Sequence, residues 1–158
     1  TSAFNESKVK KGMQIKELGH VVLYVTHLTV MADFYRDTLG YREIARSHGM
    51  ALFSSGRTHH ELLLIEIGGE RQPLGALRPG LYHIGFKVGD THEDLRKVYK
   101  ELTERGVRII GMSDHTVTES LYIADPDNNE LELYIDKGED WKKHPELILT
   151  PTKRLSLD

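Results

Sequence analysis

The strongest constraint on the fold is that one succession of elements occurs twice. Each copy has a short apolar run, a turn, an amphipathic helix stopped by glycine, and then runs of period two. In the first copy residues 18–25 read as a strand. Met31, Phe34, Tyr35 and Leu39 then recur at helical spacing until Gly40. In the second, residues 81–88 read as the strand. Thr91 and Asp94 have capping-box spacing, Leu95, Val98, Tyr99 and Leu102 form the apolar stripe, and Gly106 ends the helix. Strand-like runs follow at Leu52 and Phe53 and at 60–67 in copy one, and at 107–110, 121–124 and 131–135 in copy two. The expected fold is therefore α+β: two βαβββ modules forming one curved mixed sheet with the helices outside.

The expected organisation is a polar segment over 1–13, a single domain over 14–136 and a tail over 137–158. The modules cover about 14–68 and 81–136, joined by a linker over 69–80 that contains Pro73, Gly75 and Pro79. A chain of 158 residues with 39% hydrophobic and 28% charged residues can bury a core of this size. The net charge of -3 gives no basic footprint, so nucleic acid and anionic membrane surfaces are not expected partners. No run approaches the ~18 apolar residues of a spanning helix. The polar start lacks the apolar core of a signal peptide, so a cytoplasmic address is the default expectation. With no cysteine, any metal must be held by imidazole and carboxylate.

Strand parity then sorts the side chains. In 81–88, Tyr82, Ile84, Phe86 and Val88 share one apolar face, and His83 lies on the other with Gly85 and Lys87. In 18–25, Val21, Leu23 and Val25 form the apolar set, opposite His20. In 131–135, Glu132 lies opposite Leu131, Leu133 and Ile135. The turn Asp125-Pro126-Asp127-Asn128-Asn129 closes a hairpin. If it is centred on Asp127, Tyr122 and Glu132 are cross-strand partners, roughly 5 Å apart at Cβ. A carboxylate between leucines in mid-strand costs several kcal/mol unless a cation compensates it. Two neutral imidazoles and one carboxylate around a divalent ion leave three adjacent open positions, the facial arrangement of non-haem Fe(II) oxygen chemistry. His20, His83 and Glu132 are the expected metal triad.

These residues carry a family resemblance. The paired modules, with Gly19-His20-Val21, Tyr82-His83-Ile84-Gly85-Phe86 and Asp125-Pro126-Asp127-Asn128-Asn129-Glu130-Leu131-Glu132-Leu133-Tyr134, resemble the vicinal oxygen chelate superfamily, in which the sheet curves around a metal site. Within it the chain resembles a small one-domain extradiol (catechol 2,3-type) dioxygenase, over about 14–136. His60-Glu61-Leu62-Leu63 is similar to the strand that carries a catalytic His in that family. Tyr122 stands ten residues before Glu132, and Asp114-His115-Thr116-Val117-Thr118-Glu119 resembles a segment that precedes this Tyr. Asn128 departs from the family's usual Gly, and Leu63 from its common Ala.

The resemblance implies Fe(II), with Mn(II) as a substitute, a catecholic substrate, O2 and a homodimer. It implies that His60 donates a hydrogen bond to the bound dioxygen and transfers protons. Tyr122 orients the substrate hydroxyl, and His115 binds the substrate oxygen or shuttles its proton. His59, next to His60, is expected to face the other way as a structural residue, and His27, His48, His92 and His144 to be surface residues. Two alternatives stay open: a glyoxalase-like metal-dependent isomerase or epimerase with a fourth protein ligand, and a metal-free protein that sequesters small molecules.

Overall fold

The structure, a computed structural model, describes residues 12–158. The chain forms two compact units: Met13–Leu77 with Asp125–Asn129, and Arg78–Ala124 with Glu130–Asp158. Each contains one βαβββ module, as the repeat predicts. The hydrogen-bonded strands make two four-stranded mixed sheets where one curved sheet was expected.

In the first unit, β1 (Val21–Val25) is followed by α1 (Leu28–Asp33), β2 (Glu43–Ser47), β3 (Met50–Phe53) and β4 (Leu62–Glu66), in the order β1-β4-β3-β2. β1 and β4 are parallel and the other pairs antiparallel. The alternation in β1 puts Leu23 and Val25 into a core with Met31, Ala32, Tyr35, Phe53 and Leu64, and leaves Val22 and Tyr24 exposed. α1 opens with its Leu28 N–H donating to Glu66 Oε2 at 2.7 Å, a carboxylate at the positive helix end. It continues as a π-helical turn over Phe34–Thr38, and Gly40 at φ 69° ends it in the left-handed region that favours glycine.

The turn Asp125–Asn129 belongs to this unit. Asp125 is buried and its carboxylate accepts from Tyr35 Oη at 2.8 Å and from the Asn129 side chain at 2.8 Å. Burial pushes its carboxyl up, and these bonds oppose that rise. Asp127 accepts from the Thr26 N–H and hydroxyl at 2.8 and 2.6 Å. Asn128 sits at φ 65°, which explains why Asn can stand where the family usually has Gly.

In the second unit, β5 (His83–Gly89), α2 (His92–Glu104), β6 (Ile109–Asp114), β7 (Thr118–Ala124) and β8 (Glu130–Asp136) give the order β5-β8-β7-β6, with β5 and β8 parallel. α2 has the expected capping box between Thr91 and Asp94. It buries Leu95 and Leu102 on the sheet face that carries Leu121, Ile123, Leu131, Leu133 and Ile135. The tail packs on this unit: Asp114 and Lys153 exchange backbone bonds at 3.0 and 2.8 Å, and Leu157 is buried.

Two local expectations differ from the structure. β2 is absent from the sequence reading because its residues, Glu-Ile-Ala-Arg-Ser, form an edge strand without clean alternation. Both first strands begin later than their apolar runs, so Tyr82 lies ahead of β5 and is 73% exposed instead of joining the apolar face. Between β4 and β5 there is no helix or strand. Among the described residues, no helix is long and apolar enough to cross a membrane.

Candidate metal centre

In the parallel β5–β8 pair, His83 stands opposite Glu130 and Gly85 opposite Glu132. The Glu132 carboxylate lies beside Gly85, where a Cβ would meet the Tyr134 ring at 3.4 Å and Glu132 Oε2 at 3.7 Å, ordinary contact distances. Glu132 Oε2 stands 3.0 Å from His83 Nε2. Its other oxygen, Oε1, accepts from Ser120 Oγ at 2.6 Å and from Tyr122 Oη at 3.2 Å. Tyr122 is the register partner of Glu132 across β7 and β8, as the hairpin centre predicts. His115 Nε2 stands 2.6 Å from Tyr122 Oη.

One hydroxyl proton orders this chain. Tyr122 donates to Glu132, so the His115 Nε2–H donates to Tyr122. Burial pushes the Tyr122 phenol well above its ordinary range, and the Glu132 charge and hydrogen bond push it the same way. It is a neutral donor at neutral pH. His115 is held by a tight turn between β6 and β7, where Thr116 adopts φ 73° and donates its N–H to Asp114 Oδ1 at 2.8 Å. Glu119, the acid of the same motif, points to the other side of β7 and accepts from or shares a proton with His92 Nδ1 at 2.7 Å. His92 is exposed, as expected of a surface residue, and its ring is paired with Glu119.

The first unit carries a second group of imidazoles. His20 is exposed just ahead of β1, and its ring lies 4.5 Å from that of His60 and 6.5 Å from that of His59. Contrary to expectation, His59 faces the same way as His60: their Nδ1 atoms are 2.5 Å apart. Both precede β4, so strand alternation does not apply to them. His60 is pushed below the usual imidazole range, first by lost hydration and then by His20 and His59, so it is neutral at neutral pH.

His83 and Glu132 suit a divalent ion, because an imidazole nitrogen and a carboxylate oxygen 3.0 Å apart are two donors that a cation can share. Ser120 and Tyr122 satisfy the oxygen that faces away. Among the described residues no group of three or more His, Asp or Glu is gathered to hold an ion. His20 is carried by the first unit. Ser120 escaped the sequence reading although its parity with Tyr122 and Thr118 on β7 marks its face.

Residues 17–133 match the model of the Glyoxalase/Bleomycin resistance protein/Dioxygenase superfamily, and the chain belongs to that superfamily. It is similar to the biphenyl-2,3-diol 1,2-dioxygenase 2 of Rhodococcus globerulus, at 31% identity over 120 residues, which covers 76% of this chain and 63% of that dioxygenase. The chain thus spans less than two thirds of the length of that relative. It is also similar to the metallothiol transferase FosB of Staphylococcus haemolyticus, at 28% identity over 129 residues, covering 80% of this chain and 88% of the transferase. Among solved structures, the fosfomycin resistance protein FosX of Listeria monocytogenes, complexed with Mn(II) and a dihydroxypropylphosphonic acid, shares the fold with a TM-score of 0.61 at 21% identity, over 78% of this chain and 95% of that one.

Proposed function

We propose that the chain is an Fe(II)-dependent extradiol dioxygenase, which opens a catecholic ring beside its diol, with Mn(II) as a substitute ion. The observation that carries this reading is the convergence of His83, Tyr122 and the Tyr122-bound His115 on the single carboxylate of Glu132. His83 and Glu132 hold the ion, with His20 as the third ligand that the sequence assigns. When bound, Fe(II) supplies a Lewis acid and a path for electrons between a chelated diol and O2. The protein's own groups then manage protons and orientation. Tyr122, kept protonated by its surroundings, offers a fixed hydroxyl to a substrate oxygen. His115 passes a proton to or from that hydroxyl through the contact already present. His60, neutral at neutral pH, is able to accept a proton and return it. A homodimer belongs to the same proposal and is read directly by light scattering.

A second reading, metal-dependent group transfer without O2, is favoured by the likeness to FosB over most of its length. Anaerobic loading with Fe(II), followed by simultaneous recording of O2 uptake and yellow ring-opened product with a panel of catechols, separates the two. One O2 consumed per ring opened supports the dioxygenase. Turnover without O2 consumption supports transfer or isomerisation and rejects it.

A further inference from the structure

We infer that Glu130 is a positioning residue for His83: its carboxylate accepts the His83 Nδ1–H and so leaves the Nε2 lone pair for a divalent cation. The inference rests on the reading of His83 and Glu132 as metal ligands and adds a residue to it.

The parallel pairing of β5 with β8 sets His83 opposite Glu130, two residues before Glu132 and on the same face of β8. The imidazole therefore lies between two carboxylates. Nε2 is 3.0 Å from Glu132 Oε2, and Nδ1 is 3.3 Å from Glu130 Oε2. His83 Nδ1 and Glu130 Oε2 are both buried and neither has a formed hydrogen bond. A buried donor and a buried acceptor left unpaired are each unfavourable, and at 3.3 Å these two stand within hydrogen-bonding distance. The Tyr82 ring packs edge-on against the imidazole, its centroid 4.4 Å from that of His83.

A proton on Nδ1 makes Nε2 a lone pair facing a carboxylate at 3.0 Å, which is repulsive until a cation lies between them. An outer carboxylate that accepts the second imidazole N–H is the usual means of fixing a metal-binding tautomer. The first unit lacks this device. There the Glu61 carboxylate, next to His60, accepts from the Ser55 N–H at 2.7 Å and from the Ser55 hydroxyl.

The test uses the full chain, first with no added ion and then titrated with Mn(II). Nitrogen-15 correlation spectra of the His83 ring are expected to place a proton on Nδ1 in the wild type. In Glu130→Leu they are expected to place it on Nε2, where it bonds Glu132. Mn(II) affinity, read from the free-ion electron paramagnetic resonance signal, is expected to fall about 10–100-fold in Glu130→Leu. Glu130→Gln, whose amide oxygen still accepts the Nδ1–H, is expected to restore most of it. A wild-type Nδ1 without a proton, or equal Mn(II) affinity in wild type and Glu130→Leu, overturns the inference alone. A wild type that takes up no Mn(II) overturns the metal reading and the inference with it.

Discussion

Tyr122 and Glu132 face each other across β7 and β8, and the phenol donates to the carboxylate at 3.2 Å while holding His115 at 2.6 Å. The phenol thus links a candidate metal ligand to a candidate proton carrier. Tyr122→Phe keeps the packing and removes the hydroxyl. The expected result is a kcat roughly 10²-fold lower with the ion still bound, because a positioned acid–base group contributes about that much or more. Steady-state kinetics with parallel metal analysis checks it, and loss of the ion along with the rate would assign Tyr122 to metal binding instead.

Thr116 carries two costs beside His115. Its φ of 73° is unfavourable for a β-branched residue, and its hydroxyl is buried without a partner. Thr116→Gly is expected to raise stability by about 1 kcal/mol, the relief of strain outweighing the backbone entropy that glycine adds. The same change frees the His115 turn, so turnover should fall while the melting temperature rises. Calorimetry and kinetics on one preparation test both halves.

Gly89 closes β5 directly beneath the α2 cap. A Cβ at this position would lie 2.5 Å from Asp94 Cβ, an approach that side-chain rotation cannot relieve. Asp94 must therefore shift, and with it the reciprocal bonds to Thr91 that start α2. Gly89→Ala is expected to cost about 1–3 kcal/mol in chemical denaturation. An unchanged midpoint would contradict the packing described for this corner.

Asp114 accepts from Lys137 Nζ at 2.8 Å, and that bond holds its carboxyl below the usual range. A carboxyl depressed in the folded state contributes stability above its unfolded pKa of about 4 and loses that contribution as pH falls through the lower folded value. Asp114→Asn is therefore expected to be less stable by about 1 kcal/mol at neutral pH and to match the wild type once the solution is acidic enough to protonate Asp114. Urea titrations at several pH values give the comparison.

The sequence exposes what local chemistry determines. The Asp125-Pro126-Asp127-Asn128-Asn129 turn fixes the hairpin centre, so the Tyr122–Glu132 register and the opposite-facing Leu131, Leu133 and Ile135 are legible without coordinates. The capping box at Thr91 and Asp94 is equally local. The pairing of His83 with Glu130 is not, since β5 and β8 are parallel strands separated by a helix and a hairpin, and no turn sets their register. His59 lies with His60 because β4 starts only at Leu62, so strand alternation does not reach either residue. Edge strand β2 lacks apolar alternation, and its two-residue turn, His48-Gly49 with both φ positive, does not carry the usual Asn-Gly or Asp-Gly signal.

The central claim is that one divalent ion binds between His83 Nε2 and Glu132 Oε2. Anomalous diffraction from crystals soaked in Mn(II), with a matched Glu132→Ala crystal as control, measures this most directly. A single strong peak within coordination distance of both atoms, absent from the variant, is the predicted result. A peak that persists in the variant, or no peak beside His83 in the wild type, would contradict the account.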